Sequence, residues 1–528
     1  MREKFAEFAA ATARPLILLA ALALVGLAAC KEDAHAQGGV PLWTNIYSGG
    51  HGLGSAKAVA VDRSGNIFVT GWSGGTNGYD YATVAYSGAG APLWTNRYHG
   101  PGIGSYFESP WAIAADSSGN VFVAGGGVND YATIKYSNAG VPLWTNNYTG
   151  YNGPRGHEDG ARGVALDSQG NVFVTGYSTL ANSYSDYATI KYSNTGAPLW
   201  TNRYHGPGSG YDGAYAIAVD SGGNIFVTGE SAGSGNHLEY TTIKYSNAGV
   251  PLWTNRYHGP GNFDDGARAI ALDSSGNAFV TGYSTGAGGY DDYATVAYSR
   301  AGVPLWTNRY HGPGISGWDD RASAVAVDGD GNVFVTGWSF SDSGFVDYDY
   351  ATVAYSGAGL PLWTNRYAGE GGDNDYAYAL AVDSAGNVIV TGASYGLVSY
   401  DYATVAYSSA GVALWTNIYY GPANSSDYAY AIAVDRGGNV VVTGSDYQTI
   451  KYSSSVPPIC LTIEADASGG YFLRFNAIPG STYRLQRATD LAGPWLTCAP
   501  QTAPASGLVE FHDLFPPPGQ GFYRTVQP

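Results

Sequence analysis

The sequence predicts an all-β fold built from one repeated unit, and three observations carry that prediction. Leu-Trp-Thr-Asn recurs with its tryptophan at Trp43, Trp94, Trp144, Trp200, Trp253, Trp306, Trp363 and Trp415. Between the tryptophans lie short runs rich in Val, Ile, Thr, Tyr and Phe, bounded by clusters of Gly, Asn, Asp and Ser, as strands joined by tight turns require. The composition agrees: 76 glycines and 44 tyrosines stand beside one methionine and only 13% charged residues. Helices with charged solvent faces cannot be built in number from such a mixture.

Residues 267–308 display the unit. Strand a is Ala269–Asp273, followed by the turn Ser274–Asn277, and strand b is Ala278–Gly282. A variable loop leads to strand c, Tyr293–Tyr298, and the turn Ser299–Gly302 leads to strand d, Pro304–Asn308. Spacings of 50 to 57 residues between tryptophans suit a four-stranded antiparallel blade repeated around an axis. The array opens on a lone strand d, Pro41–Asn45, and ends on strands a, b and c over 429–452. Eight a-b-c sets and eight d strands are therefore displaced by one element. The offset predicts an eight-bladed β-propeller closed by the N-terminal strand, because an open array leaves unpaired edges. A linear β-solenoid is the alternative, in which the offset would serve nothing.

Ala-Ile-Ala-Val-Asp-Ser-x-Gly-Asn-Ile-Phe-Val-Thr-Gly, then Asp-Tyr-Ala-Thr-Ile-Lys-Tyr, then Gly-x-Pro-Leu-Trp, recur over residues 41–452. These strings resemble the bacterial SBBP β-propeller repeat and, more loosely, NHL repeats. The resemblance implies an exported bacterial surface protein and carries no catalytic motif. That family is seven-bladed, whereas eight copies are counted in this chain. The Gly-x-x-x-Trp spacing also echoes tryptophan docking in quinoprotein-type propellers, which makes eight buried indoles the expected main stabilising element.

Residues 1–37 read as a leader, with Arg2, Lys4 and Arg14 ahead of an apolar run from Pro15 to Ala29. That run is short for a membrane span and has the layout of a secretory signal. Leu27-Ala28-Ala29-Cys30 resembles a lipobox, with Cys30 lipidated, while cleavage after Ala34-His35-Ala36 is the competing site. Either makes the protein exported, as a cell-envelope lipoprotein or an extracellular protein, touching membrane only through a lipid anchor. The propeller takes residues 38–452, a linker 453–458, and a small C-terminal β-sandwich 459–528, on six alternating runs. Cys460 and Cys498 lie in that last segment and form a candidate disulfide in an oxidising compartment.

A search for chemistry excludes more than it finds. Net charge −17 argues against nucleic acid, which needs a basic face. Asp328-Gly329-Asp330-Gly331-Asn332 is reminiscent of a calcium loop, yet the following strand starts too soon. An Asp-capped turn is expected there, with no cofactor and no metal. His99, His205, His258 and His311 recur in His-Gly-Pro-Gly on separate blades, which reads as a rigid turn. Asp264-Asp265 and Asp319-Asp320 read as solvated acids.

Antiparallel order puts the short a–b and c–d turns on one face and the long b–c and d–a loops on the other. Just before the Ala-Ile/Val-Ala of strand a, the copies carry Lys57, Trp111, Arg162, Tyr215, Arg268, Ser323, Tyr378 and Tyr430. The neighbours hardly change while this position varies in size and charge. With strand a innermost, the eight residues ring the channel mouth on the long-loop face and form the candidate ligand site, suited to stacking on sugars and pairing with anions. The alternative is aromatic packing beneath the loops. The expected function is a monomeric, non-catalytic surface binding or scaffold module, with a glycan or protein ligand on the long-loop face. A carbohydrate-active hydrolase or lyase at the channel mouth is the alternative, and would need converging carboxylates.

Overall fold

The computed structural model describes residues 39–526, outside 50–53, 76–77, 101–105, 128–129, 151–158, 181–183, 314–316, 342–346, 397, 422–424, 455–461, 466–469, 477–481, 490–495, 503–507 and 515–521. Cys30 and Cys460 lie outside the described residues, as does the side chain of Cys498. Two compact units divide the chain, one of them Pro41–Ser454.

In that unit, β1 (Pro41–Ile46) is a lone strand d, and β2 (Gly54–Val61), β3 (Ile67–Gly75), β4 (Gly78–Tyr86) and β5 (Pro92–Tyr98) are a complete a-b-c-d set. They pair antiparallel in chain order. Four-stranded sheets of the same order span 212–257, 265–310, 320–367 and 375–419. The sets over 109–148 and 160–204 belong to one larger sheet through a single pair, Gly160 with Gly126. The last a-b-c set, Ala429–Val434, Val440–Gly444 and Gln448–Tyr452, takes β1 as its fourth strand. Trp43 there faces Lys451 and Asn45 faces Thr449.

The core lies between neighbouring sheets, where large and small side chains interleave. Val333, Val335, Ala351 and Val353 of one sheet pack on Phe279, Tyr293 and Ala297 of the sheet before it. Here the structure corrects an expectation: of the eight repeat tryptophans only Trp415 is buried, and the other seven are half-buried. Trp306 is only half-buried, while the strand-c tyrosines Tyr81, Tyr131, Tyr187, Tyr240, Tyr293, Tyr350 and Tyr402, and Tyr447 just before the last strand c, are among the largest fully buried side chains. The reason is position. Strand d is the outer edge, so its indole lies across the next sheet's c–d turn with one face in solvent. Trp306 Nε1 donates to Gly357 O at 2.9 Å, and a Cβ on Gly359 would sit 2.6 Å from Trp306 Cγ. The tyrosines instead reach across the core: Tyr293 donates to Ala351 O at 3.1 Å and Tyr350 to Ala403 O at 3.2 Å. Burial without such a partner would cost a hydroxyl its water bonds. From the last sheet, Tyr447 donates to Ala82 O at 2.9 Å and Lys451 Nζ to Gly88 O at 3.0 Å, both in the first set.

The C-terminal strands form two three-stranded sheets. Tyr471–Asn476 lies between Thr462–Ala465 and Leu508–Asp513, and Thr482–Ala488 lies between Leu496–Thr502 and Phe522–Val526. Leu473, Leu485, Val509 and Phe511 are buried, and Tyr523 donates to Asp513 Oδ2 at 3.0 Å.

Candidate functional site

The two ends of each sheet are built differently. At the short-turn end, Asp328 Oδ1 accepts the N–H groups of Asp330 and Asn332 at 2.9 and 2.8 Å, and Asn332 Nδ2 donates to Oδ2 at 2.8 Å. The same Asp–Asn clasp recurs at Asp62, Asp116, Asp167, Asp220, Asp273, Asp383 and Asp435. The carboxylate that resembled a calcium ligand is thus occupied by its own turn. Against the cost of burial, these hydrogen bonds hold Asp167, Asp220 and Asp435 below the usual carboxylate range, with Lys451 the larger contributor at Asp435 and help from Lys244 at Asp220 and Asn247 at Asp167.

At the long-loop end, strand a carries a register shift in every copy, and the predicted site residue is the extra residue each time. The shifts fall between Ala56/Ala58, Pro110/Ala112, Ala161/Gly163, Ala214/Ala216, Ala267/Ala269, Ala322/Ala324, Ala377/Ala379 and Ala429/Ala431. A β-bulge re-aims one side chain out of the ladder, which explains why this position varies while its neighbours do not. The glycine of strand b admits the bulge: a Cβ on Gly282 would lie 2.0 Å from Gly266 O. Strand a therefore starts before its predicted first residue, at Asp265 and not Ala269, because the pairing continues beyond the bulge.

Seven of the eight bulge residues meet in one circuit of ring and cation contacts. Lys57 Nζ lies 5.8 Å from the Trp111 ring centroid, and Arg162 Cζ lies 4.3 Å from that ring and 5.4 Å from Tyr177. Tyr177 meets Tyr211 at 6.0 Å, whose hydroxyl is 3.4 Å from that of Tyr215. Arg268 lies between Tyr215 and Tyr283, at 4.5 and 5.2 Å. Arg321 follows, 4.6 Å from Tyr283 and 5.7 Å from Trp338. Trp338 meets Tyr376 at 5.9 Å, Tyr376 meets Tyr378 at 6.4 Å, and Tyr378 meets Tyr430 at 5.6 Å. Lys57 Nζ sits 3.7 Å over Tyr430, which returns the path to its start.

Ser323 is the one bulge residue outside the circuit, and Arg321, two residues earlier, bridges its place. Sequence reasoning missed Tyr177, Tyr283 and Trp338, which follow the strand-b glycine, and also Tyr211, Arg321 and Tyr376. A signal existed: those positions vary between copies as freely as the bulge does.

Charge is uneven around the circuit. Arg268 Nη1 pairs with Glu230 Oε2 at 3.2 Å, and Arg321 Nη2 pairs with Asp291 Oδ2 at 2.7 Å. Lys57 and Arg162, on either side of Trp111, have no carboxylate partner among the described residues. Burial lowers the Lys57 ammonium to about 8. Trp111 keeps 40% of its surface exposed, so this arc presents two cations flanking an open indole.

The paired acids are corrected as well. Asp265 and Asp320 are fully buried: Asp320 accepts the N–H groups of Gly312 and Phe340 at 2.9 Å each and ties two long loops together. Burial pushes both carboxyls up. The histidines dock on acids of their own sheet or of the next, with His205 Nδ1 2.9 Å from Asp186 and 3.4 Å from Asp212. Ligand atoms of Asp186, His205 and Asp212 lie within 4.8 Å of one another, as do those of Asp292, His311 and Asp320. Arg203 already binds Asp186 at 3.0 Å, and Asp212 accepts backbone N–H groups of Gly206 and Ala232, so these carboxylates are committed to the scaffold.

Comparison with known proteins agrees with this architecture. Residues 43–79 match the SBBP beta-propeller repeat. An uncharacterised WD repeat-containing protein of Acanthamoeba polyphaga mimivirus is 25% identical over 364 residues, 57% of this chain and 25% of that protein. The matched stretch thus spans a quarter of the relative's own length. Among solved structures, Chaetomium thermophilum Sqt1 bound to the N-terminus of the ribosomal protein L10 superposes with a TM-score of 0.51. It is 11% identical and covers 77% of this chain and 98% of Sqt1. The WD40 propeller domain of Doa1 superposes with a TM-score of 0.39 at 14% identity, covering 66% of this chain and 94% of that domain. The chain is a β-propeller repeat protein.

Proposed function

We propose that the propeller is an exported, monomeric, non-catalytic binding module that holds a glycan or protein ligand at its long-loop end. The carrying observation is the bulge-built circuit. It sets the exposed Trp111 indole and two cations without a carboxylate partner among the described residues on a rigid frame, an arrangement suited to stacking and anion pairing. In this reading the chain is an eight-bladed ring closed by β1. The pairing of β1 with Gln448–Tyr452, the Tyr447–Ala82 hydrogen bond and the return of the circuit to Lys57 support closure. The six C-terminal strands form a small sandwich, and Cys30 carries the anchor.

A glycan array on the full chain tests the reading. Binding lost in Trp111→Ala and Tyr215→Ala is the expected result; binding unchanged in both variants overturns the circuit as the site.

A second reading, a hydrolase or lyase, draws on Glu108 and Asp130. Burial and the mutual repulsion of nearby acids push these carboxyls to about 7 and about 6, values that suit proton transfer. Cleavage of a polysaccharide that is abolished in Glu108→Gln would favour it over the binder.

A further inference from the structure

Five copies of the unit contain an internal arginine receptor. Strand d supplies Arg97, Arg203, Arg256, Arg309 or Arg366, and strand c supplies its carboxylate: Asp80, Asp186, Glu239, Asp292 or Asp349. The sheet over 320–367 shows the full receptor. Arg366 donates to Asp349 Oδ2 at 3.0 Å, Ser339 Oγ at 2.7 Å and Ser339 O at 2.8 Å. It also donates to Phe340 O at 2.9 Å and to the hydroxyl of Tyr310, from the preceding strand d, at 3.3 Å.

In the sheet over 375–419 the acceptors are all present and the arginine is not. Asp401 stands for Asp349, Ser394 for Ser339, Tyr395 for Phe340 and Tyr367 for Tyr310, while Ile418 occupies the arginine's register opposite Ala403. The histidine that elsewhere takes the acid's second oxygen, as His311 does on Asp292, is replaced by Tyr420. Asp401 is 6% exposed, and beyond its backbone pairing with Ser394 its carboxylate makes no hydrogen bond or ion pair to a described residue. Ile418 lacks the length of arginine, and a cleft of about 140 Å³ remains, lined by Tyr367, Ser394, Tyr395, Asp401 and Ile418, with Glu370 at its edge.

The two other sheets without the arginine keep an acid but lose the serine acceptor. Beside Asn147 the acid remains as Asp130 but the strand-b serine has become Gly127; in the last sheet, where Ile46 lies opposite Gln448 at the arginine's register, Asp446 is the acid and also fills the place two residues after Gly444 that the serine takes elsewhere. The complete empty receptor is thus confined to one sheet among the described residues.

We infer that this cleft is a receptor for a guanidinium group brought by the arginine side chain of a protein partner. A buried, unpaired carboxylate favours a charge-assisted partner, and planar guanidinium donors match acceptors already arranged for one. Two features point to a protein segment as the carrier. Tyr420 and Val398 at the cleft are 66% and 74% exposed, offering apolar contact to residues flanking the arginine. The net charge of −17 attracts basic segments. The site is separate from the bulge circuit and does not depend on what the circuit holds.

Isothermal titration of the full chain with an acetylated, amidated tyrosine-arginine-tyrosine tripeptide tests the inference. Expected results are saturable binding, at least tenfold weaker binding of the citrulline tripeptide and of free guanidinium ion, and loss of binding in Ile418→Arg, which refills the receptor from within. Asp401→Asn should weaken binding at least tenfold. Because Ile418→Arg restores the arrangement of five other copies, it should fold and melt at or above the parent temperature. Undetectable binding overturns the inference, as does equal binding by Ile418→Arg or by the citrulline peptide. Free guanidinium that equals the tripeptide overturns the protein partner.

Discussion

The short-turn end and the long-loop end of the propeller are made from the same strands, yet they follow opposite rules. At the short-turn end one device is repeated: an Asp clasped by its own turn, with carboxyls at Asp167, Asp220 and Asp435 held low by hydrogen bonds. At the long-loop end the backbone device is constant, a bulge opposite a glycine, but the side chain it presents differs from copy to copy. Acids there are buried and pushed up, Glu108 to about 7 and Asp130, Asp375 and Asp427 to about 6. The difference teaches that stability and variability have been assigned to separate ends of one frame.

The largest effect should come from breaking the bulge itself. In Gly282→Ala the new Cβ meets Gly266 O at 2.0 Å and Ala267 Cα at 3.0 Å. Both are backbone atoms, so strand a must move. A loss of about 3 kcal/mol is expected, as for other overpacked sites, read by denaturant unfolding. A loss below about 1 kcal/mol would show that the bulge is not pinned by its glycine.

Acid titration separates the two ends by sign. A carboxyl with a raised folded-state pKa binds its proton more tightly in the native protein, so its contribution is full below the unfolded pKa near 4 and is lost as pH rises through the folded value. Glu108, Asp130, Asp375 and Asp427 should therefore make the protein more stable at pH 5 than at pH 8, by several degrees in Tm. The lowered acids act in the opposite sense: their contribution persists above about pH 4 and disappears as pH falls through their folded values. Calorimetry between pH 3 and 8 should show a maximum near pH 5. A melting temperature that climbs steadily to pH 8 would contradict the raised values.

Much of this fold was legible in the sequence because repetition turns a weak signal into a strong one. The turn residues Asp328 to Asn332, the strand order and the displaced strand d at Pro41 could all be read from spacing. The bulge could not. Its cause is a glycine that looks like any strand-ending glycine, and its effect is a one-residue shift that leaves the alternation around Ala267 and Ala269 plausible. The depth of Tyr293 and the shallowness of Trp306 were hidden because both rings suit a strand, and only the order of strands from axis to edge separates them. Asp320 looked solvated beside Asp319 because adjacent acids usually are, whereas the bulge turns one of them inward. The vacant receptor was legible in principle. Ile418 stands where five copies carry arginine, but its meaning depended on knowing what that arginine touches.

Strand a over 320–327 allows the comparison to be tested within one element, since Ser323 and Asp328 are five residues apart at opposite ends. Asp328→Ala removes the acceptor of two backbone N–H groups and one side-chain amide, which should cost about 1–2 kcal/mol, the range of a lost cap. Ser323→Tyr adds a ring at the one bulge position the circuit bypasses. The extra residue of a bulge stands outside the ladder, so no pairing is disturbed and the change in stability should stay within about 0.5 kcal/mol. Its effect should appear in binding. The new ring lies between Arg268 and Tyr378 in repeat order, where the circuit now relies on Arg321, and it should alter the glycan-array profile while Asp328→Ala leaves the profile intact. If instead Ser323→Tyr destabilises the fold and Asp328→Ala changes the profile, the division of labour between the two ends is wrong, and the bulge is a packing feature like any other.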